Sequence, residues 1–195
     1  SDVFRMQKLL EKIGCRVSRA DRTLLIDARD VSKEMMEGES VTGMRSSLML
    51  LGAMLGRFHE VTMEYPGGCV IGRRPIDIHL KALARMGVDI EEKDGAFTAR
   101  AGNLTGNVIT LPFPSVGATE NVILTAVMAR GITVLQNAAR EPEIVALCQF
   151  LCKSGAMIEG AGGCVILIEG GRKLHGTRFR VPADRIVAGT YLLAT

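Results

Sequence analysis

The stretch Tyr65-Pro66-Gly67-Gly68-Cys69-Val70-Ile71-Gly72-Arg73-Arg74-Pro75-Ile76-Asp77 sets a thiol among glycines, directly ahead of two arginines and a proline. A cysteine works as nucleophile or acid when its pKa is brought toward the ambient pH, and neighbouring guanidinium groups favour the thiolate and pull it below about 8.5. The flanking glycines permit positive φ and close approach of a ligand to the backbone. Pro75 suits a first helical turn, where its missing N–H costs nothing. Arg74 then stands at a helix mouth, a place suited to phosphate. Asp77, in the first turn, either complements the helix dipole or accepts hydrogen bonds from a polar ligand. The same residues fit a surface hairpin with an incidental cysteine equally well.

A second candidate site is Phe113-Pro114-Ser115-Val116-Gly117-Ala118-Thr119. A loop entering a helix with Ser, Gly and Thr offers open N–H groups and hydroxyls to a phosphate or diphosphate, although an ordinary helix cap has the same composition. Arg45 occupies the equivalent helix start earlier in the chain, and Asp184-Arg185 a later one. Such helix starts, converging on one side, would form an anion-binding cleft. Arg140-Glu141-Pro142-Glu143 heads another helix, with its acids as dipole-complementing caps. Cys148 and Cys152 lie four apart on a helix without a second ligand pair, so they read as core packing rather than a metal site. Cys15 and Cys164 fall in strand patterns and are expected to be buried. His59, His79 and His175 form no motif.

The elements that must position these residues repeat along the chain. Three segments share one order of amphipathic helix, glycine, strand, turn and strand. The first helix aligns Val3, Met6, Leu10 and Ile13; the second Ile76, Leu80 and Leu83; the third Ile144, Leu147, Cys148 and Leu151. Gly14, Gly87 and Gly155 stand where each helix must stop in a left-handed cap. Between these segments, the stretches from Met44 and from Gly117 each predict a helix of small and apolar residues followed by a strand, clearest at Val61, Met63 and Tyr65. Those helices are apolar on nearly every side and must be enclosed. Residues 181–195 begin another. The unit is βαβαββ, about 70 residues long and present about two and a half times, which predicts an α/β fold with helices packed inside small sheets.

Composition narrows the partners. The net charge of +3 is small and dispersed, and no aromatic residues interleave with the Arg73-Arg74 pair, which argues against nucleic acid. The most apolar segment, LMLLGAML from Leu48, is far too short to span a membrane. Five cysteines without regular spacing, and no signal-like opening, fit a reducing cytoplasm rather than a secreted disulfide framework. Both ends read as cut, and the apolar run at residues 191–194 points to self-association.

PGGCVIGRRPIDIHLKAL resembles the cysteine loop and following helix of the UDP-N-acetylglucosamine enolpyruvyl transferases (1-carboxyvinyltransferases). PSVGATENVILTAVMARGITVLQNAAREPEIV and DRIVAGTYLLA are similar to other signatures of that family, so the resemblance spans essentially the whole chain. Arg73 departs from the family's usual small residue or proline, and VPADRI carries one extra residue before Asp184. The resemblance implies an inside-out α/β barrel of βαβαββ units. Residues 1–195 would form one truncated domain, with repeat boundaries near 40 and 112 and a new unit opening at 183–195. It implies transfer of the enolpyruvyl group of phosphoenolpyruvate to the 3-hydroxyl of UDP-N-acetylglucosamine, the first committed step of peptidoglycan synthesis, without metal or organic cofactor. Cys69 matches the loop cysteine that donates a proton or governs product release and that fosfomycin alkylates. Arg45 and Arg74 match substrate-binding arginines. Pro75, Ile76, Asp77 and Ile78 match the strip along the uridine; Phe113, Pro114, Ser115, Val116 and Gly117 match the diphosphate loop. The family's active site lies between two domains, so its Lys-Asn pair and the second domain's aspartate and arginines fall outside this chain, and the chain alone is expected to be inactive. The shikimate-pathway enolpyruvyl transferase and a non-catalytic nucleotide-sugar-binding domain are the rival expectations.

Overall fold

Helices that stop at a glycine and turn straight into strands set the order of the chain. The computed structural model describes residues 2–21, 23–33, 35–67 and 76–194. Cys69, Arg73, Arg74 and Pro75 lie outside the described residues. The elements are α1 (Asp2–Lys12), β1 (Arg16–Ala20), β2 (Thr23–Asp27), α2 (Glu39–Thr42), a 3-10 turn at Arg45–Leu48 that continues into α3 (Met49–Phe58), and β3 (Glu60–Glu64). Next come α4 (Asp77–Ala84), β4 (Val88–Lys93), β5 (Ala96–Ala101), β6 (Val108–Thr110) and α5 (Val116–Ala126). The chain closes with β7 (Ile132–Gln136), α6 (Pro142–Lys153), β8 (Met157–Glu159), β9 (Val165–Glu169) and α7 (Arg185–Leu193).

The expected unit is present. In its complete copy, β6 pairs parallel with β7, β7 antiparallel with β9, and β9 antiparallel with β8, giving the order β6-β7-β9-β8. The preceding copy has the order β3-β5-β4, with a lone parallel bridge from Met36 to Met63 where the complete copy has β6. The β1–β2 hairpin behind α1 is the closing half of a third. Each amphipathic helix ends as predicted: Gly14, Gly87 and Gly155 have φ of 99°, 86° and 103°. Beyond two of them the chain turns back in a six-to-one hydrogen bond, from Cys15 N to Leu10 O and from Ala156 N to Leu151 O. Pro142 opens α6.

One continuous apolar cluster joins the units, from Leu9 and Ile13 through Leu51, Met63 and Phe97 to Ile166 and Ile168. Ile76, Leu80, Leu83, Ile144, Cys148 and Leu151 point into it as their spacing predicted. Four expectations are corrected. Val3 is 69% exposed, because the first turn of α1 overhangs the core and Leu9 takes its place in the buried line. Cys164 is exposed in the turn before β9, and Cys152 is exposed on the outer side of α6. Tyr65 falls just past β3, where its ring meets Phe97 at 5.3 Å between centroids.

The two apolar helices are enclosed and lie against each other. α5 buries Ala118, Thr119, Val122, Ile123 and Ala126; α3 buries Leu51, Gly52, Met54, Leu55 and Gly56. Contact is backbone to backbone at Gly52, where a Cβ would lie 2.6 Å from the Asn121 carbonyl oxygen and 2.9 Å from its Oδ1. Replacing Gly52 by Ala is therefore expected to cost about 1–3 kcal/mol through overpacking, measured as a lowered denaturant midpoint at unchanged slope. Gly102→Ala, whose Cβ would meet nothing within 4 Å, is expected to stay within about 0.5 kcal/mol.

Candidate functional site

A helix leaves its first N–H groups without intrahelical partners, and the start of α5 leaves Val116 and Gly117 in that position. Ser115 caps it, its Oγ accepting from Ala118 N at 3.4 Å. In front opens a cleft of about 830 Å³. Arg45 and Ser46 of the 3-10 turn form one side, the Phe113–Gly117 loop another, and Ile78 with His79 of α4 a third. A guanidinium, a helix N-terminus and a hydroxyl-bearing loop, groups suited to an anion, thus share one hollow with the carboxyls of Asp2 and Glu120.

The structure brings Arg45, Ile78 and Phe113, Pro114, Ser115, Val116 and Gly117 together around this cleft. Asp77 and Ile76 are elsewhere. Asp77 faces a smaller recess of about 350 Å³ on the other side of α4. Its carboxylate accepts from Lys81 Nζ at 2.9 Å, which holds it below the usual carboxylate range. Ile76 is buried in the core, so it has only backbone to offer a ligand. The Thr119 hydroxyl, expected to help hold phosphate, is fully buried and accepts from Ala139 N at 3.0 Å. The third helix start does not join the other two. The Asp184 carboxylate takes the Ile186 and Val187 N–H groups at 2.9 and 3.0 Å, and Arg185 is tied to Glu143 at 2.9 and 3.2 Å. That end of α7 opens onto an adjoining groove, joined to the cleft through Met49 and Glu120.

Sequence reasoning missed His79 and Asn121. His79 is 6% exposed, and its ring lies so close to Gly117 that a Cβ there would be 2.9 Å from Cε1. Asn121 Nδ2 lies 3.0 Å from His79 Nδ1 and donates to Gly117 O at 3.2 Å, while Asn121 Oδ1 accepts from Gly52 N at 2.7 Å. Burial first, and the Arg45 charge second, push the imidazole pKa down to about 4, against a smaller opposing pull from Asp77. The signal available in the sequence was an asparagine inside an otherwise apolar helix, which must find partners when enclosed. Glu120 is also notable: burial, with Glu143 adding, raises its carboxyl to about 7. Among the described residues no group of three or more His, Cys, Asp or Glu is placed to hold a metal ion.

A stack of βαβαββ units around enclosed helices is the enolpyruvyl transferase class of fold. Solved structures agree on the fold: the enolpyruvyl transferase NikO from Streptomyces tendae (TM-score 0.72, 23% identity, covering 87% of this chain and 40% of that one) and EPSP synthase from Acinetobacter baumannii (TM-score 0.71, 22% identity, covering 97% and 44%). The chain belongs to the EPSP synthase (3-phosphoshikimate 1-carboxyvinyltransferase) family, whose profile matches residues 1–195. Curated relatives include UDP-N-acetylglucosamine 1-carboxyvinyltransferase 2 of Caldanaerobacter subterraneus subsp. tengcongensis, 50% identical over 193 residues, 99% of this chain and 46% of the relative. The UDP-N-acetylglucosamine 1-carboxyvinyltransferase of Jannaschia sp. is 45% identical over 196 residues, 100% of this chain and 46% of the relative. The chain thus spans about half the length of the curated relatives it matches.

Two titrations follow from these environments. Glu120 has its folded pKa raised from 4.5 to about 7, so the folded chain holds a proton there that the unfolded chain releases. That contribution to stability is fully present below pH 4.5 and lost as the pH rises through 7. Glu120→Gln is expected to gain on the parent in urea midpoint between pH 4.5 and pH 8; an unchanged gap would refute the assignment. Among the cysteines, burial raises Cys148 to about 11 and also raises Cys15, whereas Cys152 and Cys164 are exposed. Alkylation read site by site by mass spectrometry is expected to reach Cys152 and Cys164 well before Cys15 and Cys148.

Proposed function

We propose that residues 1–195 are the cysteine-loop domain of a larger, two-domain UDP-N-acetylglucosamine enolpyruvyl transferase. The enzyme would transfer the enolpyruvyl group of phosphoenolpyruvate to the sugar 3-hydroxyl and release phosphate, in bacterial cell-wall synthesis in the cytoplasm. The observation that carries the reading is the cleft in which Arg45 and the open N–H groups of α5 converge beside Ile78, three residues beyond Pro75. The 43–50% identity of relatives bearing that enzyme name supports it over the full length of this chain. Among the described residues no helix is long and apolar enough to cross a membrane.

On this reading Arg45, Val116 N–H and Gly117 N–H hold the diphosphate, with the Phe113–Gly117 loop closing one side. Pro75, Ile76, Asp77 and Ile78 follow the uridine, with Ile76 contributing main chain. Cys69 delivers a proton to the methylene carbon of phosphoenolpyruvate from a glycine-flanked loop, and Arg74 neutralises charge on the phosphate. The other wall of the site comes from the second domain. No metal or organic cofactor enters this scheme.

Transfer to 3-phosphoshikimate is the second reading, favoured by the family description. The 22% identity to a solved EPSP synthase, against 50% to a UDP-N-acetylglucosamine transferase, weighs against it. The test is phosphate release from phosphoenolpyruvate. Full-length protein is expected to release phosphate with UDP-N-acetylglucosamine and not with shikimate 3-phosphate, and the 195 residues alone to release none. Cys69→Ala should abolish fosfomycin labelling at that position. Arg45→Ala should raise KM for the nucleotide sugar by roughly ten- to a hundredfold, as losing a charged hydrogen bond does. Turnover by the isolated chain, or a preference for shikimate 3-phosphate, would overturn the proposal.

A further inference from the structure

His79 sits in an unusual place for a residue with no assigned task. It is nearly fully buried, yet its ring lines the cleft between Arg45 and the start of α5. Nδ1 is bonded to Asn121, whereas Nε2 has no hydrogen-bond partner among the described residues. Nε2 is reached from the cleft, where an acceptor oxygen of a ligand can take the place of water.

The identity of the proton on that ring follows from its neighbours. Gly52 N–H can only donate, so the Asn121 atom 2.7 Å from it must be the carbonyl oxygen. Gly117 C=O can only accept, so the Asn121 atom 3.2 Å from it must be the amide nitrogen. Two backbone groups on two helices therefore fix the amide in one orientation. Its remaining N–H then points at His79 Nδ1, 3.0 Å away. Nδ1 must accept, which leaves the imidazole proton on Nε2 and facing the cleft. A doubly protonated ring would set an N–H against an N–H, so the amide also resists protonation. That agrees with the downward push from burial and from Arg45, which Asp77 on α4 only partly offsets.

We infer that His79 is a neutral hydrogen-bond donor, through Nε2–H, to the phosphate-type anion held between Arg45 and the start of α5, and that Asn121 is the positioning residue that locks it in the donor tautomer. Specificity follows from neutrality. An imidazolium would bind any anion at long range, whereas a fixed neutral N–H rewards only an oxygen at hydrogen-bond distance. The inference deepens the nucleotide-sugar reading, which would make that anion a diphosphate. It also accounts for Gly117: any side chain there would strike the ring it must leave room for.

The test uses full-length protein, calorimetric titration with UDP and with inorganic pyrophosphate, and a pair of variants that separate the two nitrogens. His79→Gln carries an amide N–H to the place of Nε2, and His79→Asn carries an amide only to the place of Nδ1. His79→Asn is expected to weaken UDP binding by roughly ten- to a hundredfold, with most of that recovered in His79→Gln. Nitrogen-15 shifts of the imidazole in the parent protein should show Nε2 protonated and Nδ1 bare at neutral pH, with the proton moved to Nδ1 in Asn121→Asp. Equal loss in both His79 variants, no loss in either, or an Nδ1-protonated parent ring would overturn the inference. Failure of the parent to bind either probe would overturn it together with the nucleotide-sugar reading. His79-dependent binding of pyrophosphate without binding of UDP would uphold the donor and remove only the nucleotide-sugar reading.

Discussion

The hydrogen bond from Gly52 N–H to Asn121 Oδ1, 2.7 Å long and buried between two helices, is the constraint on which the rest of the site depends. It forms only because α3 presents no side chain there, so the main chains of α3 and α5 come within contact distance. Thr125 adds a second tie, its hydroxyl donating to Gly52 O at 3.3 Å. With α5 fixed against α3, the Ser115 cap, the open N–H groups behind it and the Arg45 turn that precedes α3 take set positions. A buried polar contact of this kind contributes little net stability but a great deal of specificity, because any misregister strands a donor or an acceptor in an apolar interior.

The electrostatics of the cleft divide labour between charge and geometry. Arg45 carries permanent positive charge and the helix end a fractional one, and both draw an anion from a distance. His79 is kept out of that field by burial and by Arg45 itself, so it adds direction without further charge. On the far side, Glu120 is held near neutrality by burial and by Glu143. A fully ionised Glu120 would oppose the same anion. Asp2 also lines the cleft, so its carboxylate offsets part of the Arg45 charge.

The repeat explains why similar helix starts have different fates. In two places the start of an enclosed helix opens on the cleft; the third helix, α7, was expected to be enclosed but buries no residue, and there Asp184 fills its own helix end and Arg185 is committed to Glu143. A side-chain carboxylate at a helix cap removes the open N–H groups that an external anion would need. The chain repeats its architecture and varies its chemistry through one or two residues per unit.

Much of the fold was legible in the residues. The glycine stops at 14, 87 and 155, the three-and-four spacing of Ile76, Leu80 and Leu83, and the apolar helices at Met44 and Gly117 each follow from local backbone and burial rules, and each holds in the structure. That Arg45 and the Phe113–Gly117 loop stand at helix starts was legible for the same reason, since a cap and its flanking charge are encoded within a few positions; the structure places both on one cleft. What only the tertiary structure decided are relations between residues far apart in the chain: that Thr119 turns inward, that Asp77 faces away from the cleft, and that Asn121 joins Gly52 to His79. Sixty-nine positions separate Asn121 from Gly52 and forty-two separate it from His79. Periodicity within one helix says which side is apolar, but not which main chain or ring will lie against it. The tautomer of a histidine is set by that encounter, and no local pattern records it.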